Sequence, residues 1–70
     1  MTGKEMGFTV FLVHSLAESL GLLPAAVYAK LEQTGILDDY IVPCYDTLHT
    51  MGSQALVEDI TGFLRERGAL

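Results

Sequence analysis

Tyr45, Asp46, His49 and Thr50 put a phenol, a carboxylate, an imidazole and a hydroxyl within six residues. No other stretch of the chain concentrates groups able to do chemistry in this way. On a helix, residues three and four apart share a face, so Tyr45 neighbours His49, and Asp46 neighbours both His49 and Thr50. A carboxylate beside an imidazole fixes its tautomer and strengthens its hold on a proton, which is how general bases and metal ligands are oriented. A structural reading competes with this one. Asp46 and His49 would then tie the end of a third helix to the start of a fourth, with Thr50 and Gly52 shaping the turn. The sequence therefore marks Tyr45, Asp46, His49 and Thr50 as a polar site or a helix junction, and assigns no catalytic residue.

Stronger chemistry asks for more than these residues offer. A metal site needs three or four ligands. Near His49 only Asp46 and Cys44 are candidates, while His14 lies far away on a polar strip. Cys44 precedes His49 by five residues, about 140° around a helix, which separates the pair needed for thiolate catalysis. A lone cysteine in an apolar stretch behaves as a small core residue. A chain of 70 residues also struggles to enclose a substrate cavity of several hundred cubic ångströms. The expectation is a non-enzymatic protein with no metal and no cofactor.

The elements that would position the cluster follow from hydrophobic spacing and glycine punctuation. A first helix is expected over about residues 5–20, with Phe8, Phe11, Leu12, Leu16 and Leu20 at helical spacing and Phe8, Phe11 and Leu12 turned inward. Val10, Val13 and Ala17 widen its apolar face beyond what a single packing surface uses. They are expected, together with Leu20, to form an interface with another chain. Gly21 caps this helix. Pro24 opens a second helix over about 24–34, with Val27, Tyr28 and Leu31 inward, and Gly35 stops it. Asp38 and Asp39 offer N-caps to a third helix over about 39–48, with Pro43 placed at its first turn. Ser53 or Thr50 caps a fourth helix over about 53–67, which buries Leu56, Ile60, Phe63 and Leu64. Gly62 inside it suggests a close helix crossing. No strand signal survives. The expected architecture is an all-α bundle of about four short helices in a single domain, residues 1–70.

Composition narrows the partners. Half of the residues are apolar, which is at the high end for a chain that buries only about 60% of its unfolded surface. Part of that apolar surface is expected to face another protein chain. The net charge is −5, and the four basic residues Lys4, Lys30, Arg65 and Arg67 form no stripe. Nucleic acid and anionic membrane surfaces are therefore not expected partners. The single cysteine excludes an internal disulfide, and no apolar run reaches the roughly 18 residues of a membrane span. The stretch Phe8–Val13 is too short for a signal-peptide core. These features together point to the cytoplasm.

The run Tyr45-Asp46-Thr47-Leu48-His49-Thr50-Met51-Gly52 also resembles a tyrosine-aspartate-x-leucine-histidine-threonine-x-glycine signature. It characterises a bacterial family of small domains of unknown function, number thirty-seven ninety-one. The apolar first helix, the short second helix closing on Gly35, and the final amphipathic helix with Leu56-Val57-Glu58-Asp59-Ile60 fit the same pattern. The resemblance implies an accessory, antitoxin-like protein. It also implies an ADP-ribosyltransferase-like enzyme as a partner, while the apolar surplus offers a second copy of the chain, as a homodimer, as the other. The alternative left open by the residues is a small ligand-binding or catalytic domain built on Tyr45, Asp46 and His49.

Overall fold

A computed structural model describes all residues, Met1–Leu70. Four α-helices follow one another as α1 (Gly3–Leu20), α2 (Pro24–Gln33), α3 (Tyr45–Leu48) and α4 (Ser53–Glu66), with a π-turn at Leu37–Ile41 between α2 and α3. The chain is all-α. Its Cα radius of gyration is 10.8 Å, against about 11 Å expected of a globular domain this long. No single helix is long and apolar enough to cross a membrane, and α1 with α2 would be so only as a pair bent by 111°.

α1 begins two residues earlier than its apolar spacing indicates, because Thr2 and Glu5 form a capping box. The Thr2 hydroxyl accepts from the Glu5 N–H at 3.2 Å, and the Glu5 carboxylate accepts from the Thr2 N–H at 2.9 Å. Two orphan donors of the first turn are thereby satisfied. Gly21, at φ +68°, closes the helix as expected. Pro24 then stands in the first turn of α2, where a missing N–H costs nothing. Gly35 turns the chain at φ +79°, and a Cβ there would lie 2.9 Å from Asp39 Oδ2, so only glycine fits without displacement.

The third helix does not form as one piece. The helical turn starts at Ile36–Leu37, ahead of the expected Asp39, so Pro43 falls in its interior instead of its first turn. Pro43 can donate no hydrogen bond, and its ring clashes with a carbonyl four residues back. The ladder widens ahead of it, where Val42 N–H bonds to Leu37 O five residues back at 3.0 Å, and returns to α spacing after it, where Cys44 N–H bonds to Tyr40 O at 3.0 Å. A single α-turn, α3, resumes at Tyr45. Asp38 and Asp39 therefore lie inside the π-turn, and neither caps a helix. The N-cap of α4 is Gly52, with Ser53 as its first helical residue and no side-chain cap. Gly62 faces open space, so no helix crosses there.

The core is aliphatic. Leu12 and Leu16 from α1, Val27 and Leu31 from α2, Ile36, Leu37 and Ile41 from the π-turn, Leu48, and Leu56, Ile60 and Leu64 from α4 are all buried. The inward arc of α1 is displaced by one residue from the expected one. Thr9, Leu12, Val13, Leu16 and Ala17 are buried, whereas Phe11 is half-exposed. Thr9 can enter the core because its hydroxyl donates to the Glu5 carbonyl at 2.8 Å. Tyr28, expected inward on α2, lies at the surface.

Val13 and Ala17 accordingly belong to the monomer core, and this removes them from the expected interface. Val10 is exposed and Leu20 half-buried against the core. Replacing Val13 by glutamate would bury an unpaired charge among leucines. The Val13→Glu variant is expected to lose its cooperative thermal transition in circular dichroism. A cooperative transition close to that of the wild type would return Val13 to the surface.

Candidate functional site

The junction between α3 and α4 holds the residues singled out by the sequence. α3 is one turn long, and the chain reaches Gly52 through two bends. Such a short turn leaves carbonyls without helical donors, and side chains satisfy them locally. His49 Nδ1 lies 2.8 Å from the Tyr45 carbonyl oxygen, so Nδ1–H donates to it. The Thr50 hydroxyl donates to the Thr47 carbonyl at 2.7 Å. The Tyr45 and His49 rings are stacked, with centroids 4.6 Å apart and planes 7° from parallel. Phe8 of α1 meets Tyr45 in an edge-to-face pair with centroids 5.5 Å apart, which fastens the junction to the first helix.

The expected proximity of Tyr45 and His49 is thus present. The expected Asp46–His49 bond is not, because the imidazole nitrogen on the helix side is taken by the Tyr45 carbonyl. Asp46 is exposed and hydrogen-bonds to no other residue of the chain. Thr50 serves the turn. Cys44 is a half-buried free thiol beside the core. No three His, Cys, Asp or Glu side chains converge closely enough to share a metal ion.

A ligand-binding or catalytic role for Tyr45, Asp46 and His49 calls for a cleft at this junction. The surface grooves lie elsewhere. Two are lined by residues of α1 and α4, the first of them by Ser15, Glu18, Ser19, Ser53, Gln54 and Val57, and the third by residues of α4 alone. None of the junction residues lines them.

Three long-range polar contacts escaped the sequence because their partners are 19 to 39 residues apart. The Tyr40 hydroxyl donates to Asp59 Oδ2 at 2.6 Å, and its ring packs against Phe63 with centroids 4.8 Å apart. Lys30 Nζ donates to the Ala69 carbonyl at 2.7 Å, and Arg67 Nη1 donates to the Thr34 carbonyl. Together they join the end of α2 and the π-turn to α4 and the residues after it. The hydrogen bond to Asp59 pushes the Tyr40 phenol up to about 12, with burial and the nearby Asp59 charge acting in the same direction.

The family described as "Protein of unknown function (DUF3791)" matches residues 7–67. The chain belongs to that family. Curated proteins and solved structures gave no match. Membership in DUF3791 covers every element described above except the first turn of α1 and the last three residues. It carries no assigned activity, so the function has to be argued from the surfaces of the molecule.

Two substitutions test the polar framework. The folded-state pKa of Tyr40 lies above its unfolded value, so the bond to Asp59 stabilises the fold below pH 10 and is lost as pH rises from 10 to about 12. At neutral pH Tyr40→Phe should be about 1–3 kcal/mol less stable in urea unfolding. The gap from the wild type should narrow across that alkaline window, and a constant gap would contradict the assignment. His49→Ala removes a ring stack and one local hydrogen bond at an exposed position. A loss of about 0.5–1 kcal/mol is expected in thermal unfolding, and a much larger one would make His49 essential to the junction.

Proposed function

We propose that this DUF3791 chain is a protein-interaction module whose docking face is the outer side of α1. The observation that carries this reading is the exposure of two adjacent large apolar side chains on the solvent side of one helix. Val10 and Phe11 are each 49% exposed, whereas Met6, 52% exposed, lies about 140° around the helix from Phe11. Single exposed apolar residues are ordinary on any protein, whereas adjoining ones on a small domain mark contact surfaces. Gly3 and Gly7 lie on the same outer side of α1, and a Cβ at either would meet nothing. A partner helix could therefore approach the backbone closely.

By class, the partner is a second copy of the chain or a larger protein. The family resemblance adds an ADP-ribosyltransferase-like enzyme to the second class. The cluster at Tyr45, Asp46 and His49 supports a catalytic or ligand-binding reading less well, since its hydrogen bonds serve backbone carbonyls and no groove adjoins it.

Phe11→Glu tests the docking face. The ring is half-exposed, so the substitution should change stability by no more than about 0.5 kcal/mol and leave helicity intact. Tagged wild-type chain purified from the cells that produce it should retain another chain, identical or different, and the variant should lose it. A wild-type protein that stays strictly monomeric and retains no other protein would overturn the reading.

A further inference from the structure

We infer that the occupant of the outer face of α1 is the same helix of a second copy, paired antiparallel about a two-fold axis beside Phe11. The inference rests on the docking face proposed above and goes further by naming its occupant. Lys4, Gly7, Phe11, His14 and Glu18 are all exposed. Their spacing alternates three and four residues, so at about 100° per residue they fall on one stripe about 80° wide. This alternation is that of a coiled-coil seam, here on a helix already packed on its opposite side.

Charge decides the direction of pairing. Lys4 and Glu18 lie seven residues on either side of Phe11, about 10 Å along the axis each way. In a parallel pair Lys4 would meet the partner's Lys4, and Glu18 would meet the partner's Glu18. In the antiparallel pair Lys4 meets the partner's Glu18 and Glu18 meets the partner's Lys4, at both ends and by one symmetry operation. Such a self-complementary patch is what a two-fold homodimer requires. Phe11 then meets the partner's Phe11 at the axis. Gly7, one turn away, leaves open space for that ring, since a Cβ there would meet no atom within 4 Å. Val10 flanks the stripe and extends the apolar contact.

Charge exchange tests this pairing without disturbing the monomer. Lys4→Glu adds an acid to the first turn of α1, and Glu18→Lys adds a base to its last turn, so both substitutions suit the helix dipole. Sedimentation equilibrium from micromolar to sub-millimolar concentration should show a dimer for the wild type. Each variant alone should dissociate about tenfold more readily, because both symmetric ion pairs become repulsive. The two variants move net charge in opposite directions, so weakening of both reports local pairing and not overall repulsion. Mixed in equal amounts they should regain wild-type affinity, each end again meeting its opposite charge.

A wild-type dimer indifferent to both substitutions, or a mixture no tighter than its components, would overturn the inference. A monomeric wild type would overturn it too. If that monomer still loses a different bound protein on Phe11→Glu, only the homodimer fails. If it binds nothing, the interaction module fails with it.

Discussion

Leu12 and Leu16 of α1 have no exposed surface, and α1 packs against both α2 and α4. The rest of the molecule depends on that double contact. α2 and α4 reach one another's ends mainly through polar ties, so α1 is the wall on which both are assembled. The 13 hydrophobic core residues are all aliphatic, and the aromatic rings lie at the rim or the surface. A domain this small lacks the depth to enclose a ring completely. Tyr40, Tyr45, Phe8 and Phe63 instead close the edges of the leucine core, pairing with each other or with His49.

The same shortage of interior shapes the electrostatics. Two of the four cations, Lys30 and Arg67, bond to backbone carbonyls, Lys30 to Ala69 near the end of the chain and Arg67 to Thr34 at the end of α2. They close the open end of the bundle where helices run out of their own donors. Arg65 borders a groove against α4, which leaves Lys4 as the cation on the exposed stripe of α1. An acidic protein with one cation placed opposite a carboxylate along that stripe has a direction written into its surface. The excess acidic charge elsewhere is screened beyond about 8 Å at physiological ionic strength, so it would not cancel contacts at the proposed seam.

The Tyr45–Gly52 segment is polar for reasons that begin with Pro43. Because proline interrupts the helical ladder, the chain passes through a π-turn, an irregular link and a single α-turn before α4 begins. Each interruption exposes carbonyls, and His49 and Thr50 are the nearest donors. The imidazole nitrogen that Asp46 could have bonded is thereby occupied by Tyr45 O. A cluster whose residue types suit catalysis has its donors directed to its own backbone.

The sequence alone determined the helical class, the joints at Gly21, Pro24 and Gly35, and the inward line Leu56–Ile60–Leu64. These depend on interactions within a turn or two, where residue type and spacing suffice. The capping box of Thr2 and Glu5 was equally local and readable as a pattern. Tertiary structure decided which arc of α1 faces inward, because its apolar belt is too broad for periodicity to choose. Packing against two helices selected Val13 and Ala17 and left Phe11 outside, while Thr9 entered the core by bonding to its own helix. It also decided that Tyr40 would meet Asp59, and Lys30 the Ala69 carbonyl. Contacts between residues so far apart in the chain exist only once the helices have packed, and nothing in local spacing encodes them.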